Sequence, residues 1–419
     1  MGKLGSTGYK ALARAGSVAS NSALVQVMAV ATGIAAANIW YAQPLLDTLA
    51  RHFLVSTGTA GLIVTMTQLG YTFGLVLVVP LGDFFELRRL VTVLSACTAA
   101  ALVLAGAASS IGVFLVASMI IGITATAAQV LVPFAAHLAM DDQRGQVVGR
   151  VMAGLLLGIL LSRTFSGFVA DVLGWRAVFD IAAAFMVIQA WVLSRVLPQF
   201  RNETSLRYFP LLLSVVQLFR EEPLLRRRIV YGALGFAAFT TLWTGLSFLL
   251  TRPPYNYGDT VVGLFGLLGA AGAMCAMAAG RLHDRGKAHT GTGVFLAVIV
   301  LAFAIMGFFQ NYLAAIVVGV VLLDLGQQGQ HILNQSVVYE LNPKMRGRIT
   351  TAYMTCFFLG GVIGSVLTGY LYQLAGWTAV AWLGGAFGGI AFLFWLTEPG
   401  TSRGSADKQG STVARVGKE

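Results

Sequence analysis

The stretch Leu322–Ser336, LLDLGQQGQHILNQS, sets one carboxylate, one imidazole and five amides inside a run whose flanks, YLAAIVVGVV and VVY, are apolar. A carboxyl group and an imidazole bind and release protons, and amides both donate and accept hydrogen bonds, so the set suits proton exchange beside a polar solute. On a helix turning about 100° per residue, with Asp324 at zero, Gln335 falls at ~20°, Gln328 at ~40° and His331 at ~340°. Gln327 at ~300° and Asn334 at ~280° flank this stripe, whereas Gln330 at ~240° and Ser336 at ~120° point elsewhere. An aspartate at the centre of a membrane costs about 2.5–3.5 kcal/mol, and each Leu, Ile or Val returns only about 0.3–0.6 kcal/mol, so the stripe must face protein or water. Two uses fit such a face. Its groups bond neighbouring helices at about 0.6 kcal/mol each, or they line a cavity in which Asp324 and His331 exchange protons while Gln327, Gln328 and Gln335 bind solute.

Arg163, in RTFSG, is the one basic residue well inside an apolar run. A membrane arginine is a functional group by default, and it pairs either with an anionic solute or with an acid such as Asp47 or Asp180. Further polar or aromatic candidates for a solute site are Asn38, Tyr41 and Gln43 in NIWYAQP, Trp243 in FTTLWTGLSF, and Gln129. No His/Cys cluster has metal-ligand spacing and no glycine-rich phosphate cradle is present, so neither a metal, a cofactor nor an enzymatic activity is expected. Energy for any pumping then comes from an ion gradient rather than from ATP.

The elements that position these residues follow from composition. Of the 419 residues 57% are hydrophobic and 11% charged, which makes lipid the expected solvent. Apolar runs of roughly 18–30 residues each suffice to cross a hydrocarbon core of about 30 Å as helix. Twelve such spans are predicted, at 23–49, 58–81, 89–108, 110–139, 147–170, 175–197, 229–251, 260–281, 290–309, 311–339, 349–373 and 376–397. Residues 1–22 form an N-terminal segment, 198–228 a central loop with an interfacial helix, and 398–419 a polar tail. Cys97, Cys275 and Cys356 lie far apart in apolar runs and suit packing rather than disulfides.

With both termini in the cytoplasm, the outer loops hold only Arg51, Arg176 and Arg252, and every other basic residue except Arg163 falls on the inner side. That bias fixes orientation by the positive-inside rule. It also accounts for the net charge of +11 without a nucleic-acid partner.

The chain also matches itself. A shift of 202 superimposes Arg144-Gly145 on Arg346-Gly347, Gly158 on Gly360, Gly167 on Gly369 and Gly174-Trp175 on Gly376-Trp377, and a shift of 201 places Asp83 on Asp284. The pattern reads as an all-α membrane protein of two related six-helix bundles, 23–197 and 229–397, arranged as parallel repeats. The counterparts of the Asp324 stripe are Gly122, Thr126, Gln129 and Pro133, so charge on this pair of helices belongs to the second half.

GRLHDR at Gly280–Arg285 resembles the Gly-x-Leu-x-Asp-Arg-x-Gly loop motif of the major facilitator superfamily, and VPLGDFFELRR at Val79–Arg89 resembles its other copy. The first copy departs from the motif at Val79, Phe84 and Glu86, the second at Lys287. NIWYAQPLL, RTFSG and LLDLG with NQS resemble a bacterial branch related to drug:proton antiporters. Ile159 and Arg163 depart from that branch's helix-5 pattern, which expects Pro and Gly there. The resemblance implies a monomeric inner-membrane carrier of a small molecule, working by alternating access and exchanging its solute outward for protons. It also implies gating by Asp83 with Arg88 and Arg89, and by Asp284 with Arg285. Against gating stands the simpler use of those charges in tight turns. Against export stand import or uniport of an organic anion and, outside transport, a membrane receptor.

Overall fold

The structure is a computed structural model and describes residues 22–140, 143–201, 208, 222–341 and 346–398. The expected N-terminal segment, most of the central loop with its interfacial helix, and the polar tail lie outside the described residues. Among the described residues nine helices are long and apolar enough to cross a membrane. One of these, Arg346–Leu396, leaves helical geometry at Ala375 and Gly376 and so holds two spans. Two more spans are interrupted helices, which completes twelve.

In chain order α1 is Ser22–Ala37, resumed as Leu46–His52, and α2 is Thr57–Phe73, prolonged by a π turn and a 3-10 turn to Asp83. Next come α3 Leu87–Gly106, α4 Ile111–Ala125 resumed as Ala127–Leu138, α5 Arg144–Leu173 and α6 Trp175–Val196. The second half holds α7 Pro223–Thr251 and α8, which runs Asp259–Phe265, a 3-10 turn Gly266–Gly269 and Ala270–Asp284. It continues with α9 Ala288–Phe308, α10 Leu313–Leu341, and α11 and α12 on either side of Gly376.

The internal repeat reappears in the packing. Contacts of α1 with α5, α2 with α4 and α3 with α6 recur as α7 with α11, α8 with α10 and α9 with α12. Gly174 and Gly376 both turn their chains at positive φ, 87° and 64°, where a side chain would be strained. That is why the glycine of the Gly-Trp pair repeats. Gly158 and Gly360 recur for another reason: a Cβ there would lie 2.1 Å from the Gly33 carbonyl oxygen and 2.0 Å from that of Ala233. Only bare backbone lets α5 approach α1, and α11 approach α7, so closely.

Continuous helix was expected across residues 23–49, but α1 opens between Ala37 and Leu46. Pro44 has no N–H to donate and its ring disfavours helix in the residue before it, so the helix stops short of it. Freed backbone is tolerated at this depth only where protein satisfies it. Ser166 of α5 donates to the Tyr41 carbonyl oxygen, and Ser247 of α7 donates to that of Pro44 at 3.0 Å. The first helix of the second half likewise starts before the expected residue 229, with Pro223 in its first turn, the position proline suits best.

The halves meet at the end of the molecule away from the termini. There Arg252 pairs with Asp47 at 3.1 Å, and Thr48 donates to Asp259 at 2.7 Å. Asp171 of α5 accepts from the backbone N–H groups of Asp259 and Thr260 at the start of α8. Gly167 packs on the Asp259 backbone, and its repeat-mate Gly369 packs on Gly58 and Gly61 of α2. Thr65 and Ser365 share a hydrogen bond of 2.9 Å. Toward the opposite end Tyr71 and Leu75 of α2 share an apolar cluster with Ile349, Tyr353 and Phe358 of α11, and Gln328, His331 and Gln335 of α10 are partly exposed.

Candidate functional site

Charge, aromatic surface and interrupted helices converge midway along the bundle. Arg163 projects from α5 and is 4% exposed; Asp324 projects from α10 and is 2% exposed. The two attract each other across the site, yet no direct ion pair joins them. Arg163 Nε donates to Gln43 Oε1 at 2.9 Å, and its guanidinium carbon lies 4.1 Å from the Trp243 ring centroid and 4.7 Å from that of Trp40. Phe239 stands 5.8 Å away as a third ring. Each desolvated cation–π contact is worth about 0.5–2 kcal/mol, so the aromatic walls replace part of the hydration that Arg163 forgoes. The acids named as its alternative partners are placed elsewhere: Asp47 is held by Arg51 and Arg252, and Asp180 lies against Gly106 of α3.

Two helix interruptions bring backbone to this level. Trp40 and Gln43 sit in the open segment of α1. The 3-10 turn of α8 runs beside both charges, since a Cβ on Gly266 would lie 2.9 Å from Arg163 Cβ and one on Gly269 would lie 3.1 Å from Asp324 Oδ2. Discontinuous helices near the midplane are where carriers place their sites.

Several buried polar atoms here have no hydrogen-bond partner: Arg163 Nη2, Asp324 Oδ1, Gln43 Nε2 and the indole N–H of Trp40, while the indole N–H of Trp243 faces the Asp324 carboxylate. Thr241 and Thr244 of α7 add to them. An unsatisfied buried group costs about 1–3 kcal/mol, so this concentration makes the level a candidate site for a polar guest.

Not every residue singled out from sequence joins this cluster. Gln327 turns to Gly235 of α7, and Gln328 turns to Gly272 of α8. Gln335 donates to Met354 Sδ at 3.7 Å. His331 meets the Tyr353 hydroxyl at 3.1 Å and packs on Phe357 at 4.4 Å between ring centroids. Asn38 donates back to the carbonyl of Ile34 and reaches Met186 on α6, while the Tyr41 ring packs on Phe165. Gln129 donates to the Tyr71 hydroxyl at 3.0 Å. Among the loop charges, Arg88 pairs with Glu86 and reaches the Leu197 carbonyl oxygen at the end of α6; Asp83, Arg89, Asp284 and Arg285 are exposed.

Trp40 and Phe239 are candidate-site residues that sequence reasoning passed over, and Gln330, outside the cluster, is a buried amide that it also passed over. Trp40 and Phe239 are aromatic in apolar context, where packing is the default reading. Gln330 was set aside on helical angle, yet it is fully buried and shares with Gln327 the space beside Gly235. Its signal was chemical rather than angular, because an amide has no business on the lipid side of a membrane helix.

The sequence pattern of the Major Facilitator Superfamily matches residues 28–340 and, in a second copy, 290–417. The "Uncharacterized transporter YgaY" of Escherichia coli O157:H7 is 45% identical over 89% of this chain and 95% of its own length. The "Probable transporter SCO4007" of Streptomyces coelicolor is 31% identical over 86% and 84%. Among solved structures, a bacterial homolog of the human lysosomal transporter Spinster, inward-facing and occupied, superimposes with a TM-score of 0.75 at 14% identity, covering 90% of this chain and 96% of that one. The D-xylose-proton symporter gives a TM-score of 0.67 at 14% identity, covering 89% and 97%. These likenesses show the same fold, and the two sequence relatives are transporters rather than enzymes. Twelve spans in two repeated bundles, and a family match that runs nearly end to end, lead to one assignment: the chain is a multi-pass membrane transporter belonging to the Major Facilitator Superfamily.

Proposed function

We propose that this transporter exports a small organic solute in exchange for protons, with the solute bound between Arg163, Asp324 and the rings of Trp40, Trp243 and Phe239. The observation that carries the reading is a pair of opposite, buried charges on different halves, each with an unpartnered atom, at the level where helices break. Asp324 is the proton-exchanging group. His331 stands between it and the end where α10 finishes, and relays protons along the same face as Gln328 and Gln335. Gln43, through its unpartnered Nε2, supplies a further hydrogen bond.

The basic-residue bias supports cytoplasmic termini in a bacterial inner membrane, which makes the joined end of the halves the outer one. The conformation is then closed at its outer end. Asp83, Arg88, Arg89, Asp284 and Arg285 lie on the inner loops, where they steady the alternative state. The protein works as a monomer with no cofactor. Outward transport has support from a Helicobacter pylori relative, 23% identical over 84% of this chain, named a "Probable sugar efflux transporter". It also agrees with the drug:proton antiporter resemblance of the α1, α5 and α10 motifs.

The test is proton movement in proteoliposomes loaded with a pH-sensitive dye and given an imposed pH gradient, across a panel of organic solutes. At least one solute is expected to dissipate the gradient with the wild type and not with Asp324→Asn. Solute flux that ignores both the gradient and that substitution would discard the antiport reading. It would favour instead uniport or import of an organic anion, to which the unpartnered Nη2 of Arg163 lends itself.

A further inference from the structure

The geometry points to a compact zwitterion, carrying an ammonium and a carboxylate on a small apolar body, as the solute class of the central site. This rests on the placement of the solute site proposed above and goes further by fixing the solute's charge. Arg163 contributes one positive charge and Asp324 one negative, so the site is neutral before anything binds. A purely anionic or purely cationic guest leaves one unit of charge uncompensated at a buried site, which is strongly unfavourable. An uncharged polyol avoids that cost but pairs neither free charge. A zwitterion meets both, since Arg163 Nη2 is a donor without an acceptor and Asp324 Oδ1 an acceptor without a donor.

The surroundings agree. No direct ion pair closes between the two groups, so the guest has no salt bridge to break. Arg163 is the charged group that faces Asp324; on the other sides stand Trp243 of α7 and Gly269 of α8. Glycine at 266 and 269 lets the backbone of α8 pass close beside both charges, where a side chain would crowd Arg163 and Asp324. Trp40, Trp243 and Phe239 offer three ring surfaces to an apolar body. A proton on Asp324 removes the partner of the ammonium, so proton and solute exclude one another, which is the requirement for exchange.

Thermal-shift and tryptophan-fluorescence titrations of the purified protein test this with the neutral proteinogenic amino acids. Each one that binds is compared with its methyl ester, a cation, and its N-acetyl form, an anion. At least one amino acid is expected to bind, with both capped forms at least about tenfold weaker. Asp324→Asn should erase the discrimination against the N-acetyl form, and Arg163→Gln that against the ester. Should either variant fail to fold, the wild-type comparison of capped and uncapped forms decides alone. No binding by any amino acid, or equal binding by the capped forms, overturns the assignment. Proton-driven flux of an anion, a cation or a polyol without amino-acid binding would overturn it too, while leaving the exporter intact. Amino-acid binding without proton-driven flux would support the zwitterion site and remove the coupling.

Discussion

At the scale of single residues, the guanidinium of Arg163 is held by its shape as much as by its charge. The rings of Trp243 and Trp40 lie 4.1 and 4.7 Å from its central carbon, and Gln43 accepts from Nε at 2.9 Å. Lysine offers neither the plane nor a donor at that position. Arg163→Lys is therefore expected to cut proton-driven transport about tenfold, the equivalent of about 1.4 kcal/mol, while leaving the melting temperature within a few degrees. Unchanged initial rates in proteoliposomes would show that charge alone suffices. A second residue-scale effect lies far from the site. Arg228 and Glu398 form a buried ion pair at 3.1 Å where α7 begins and α12 ends, and Tyr231 donates to the same carboxylate at 2.9 Å. Glu398→Gln strands the arginine charge, at a cost of about 3–5 kcal/mol. A clear drop in thermal stability is expected, and removing the stranded charge as well, in Glu398→Gln with Arg228→Met, should restore most of it. Asp324 and Arg163 were legible in sequence because a charge in lipid is expensive wherever it stands. Trp40 and Phe239 were not, because an aromatic ring costs nothing in an apolar span and so carries no signal until its neighbour is seen.

At the scale of helices, close approach is bought with glycine. A Cβ at Gly158 would sit 2.1 Å from the Gly33 carbonyl oxygen, whereas around Gly149 on the same helix nothing lies within 4 Å. Gly158→Ala is expected to cost about 1–3 kcal/mol by forcing α5 off α1, and Gly149→Ala to be neutral or slightly stabilising. Comparison of melting curves separates the two, and equal behaviour would mean that the helices are free to slide apart. Span count and order were readable because hydrocarbon thickness sets a minimum length. The interruptions of α1 and α8 were harder to read. Pro44 signals the first, but the 3-10 turn at Gly266–Gly269 depends on what packs beside it, and a run of small apolar residues reads equally well as unbroken helix.

At the scale of the whole molecule, few polar contacts hold the joined end. Asp47 is 2% exposed and takes both Arg51 from its own helix and Arg252 from the other half. Arg252 is partly in solvent, so the interhalf pair contributes only about 1 kcal/mol, a factor of about five in the balance of conformations. Asp47→Asn should shift that balance toward separation of this end. Spin labels at Leu54→Cys and Tyr312→Cys, both exposed, report it once Cys97, Cys275 and Cys356 are replaced. An unaltered distance distribution would assign the closure to glycine packing instead. The repeat itself was visible in sequence as paired glycines, whereas the meeting of Gly167 with Asp259 and of Gly369 with Gly58 was not, since it joins halves that no local pattern relates.

Arg163 and Asp324 stand on opposite sides of the parting plane between the halves. The gap between guanidinium and carboxylate is thus a calliper on the angle the halves make, and a bound molecule that touches both jaws sets its opening. A solute a little too long or too short would hold the halves at an angle from which neither end closes fully. It would block the protein rather than ride through it.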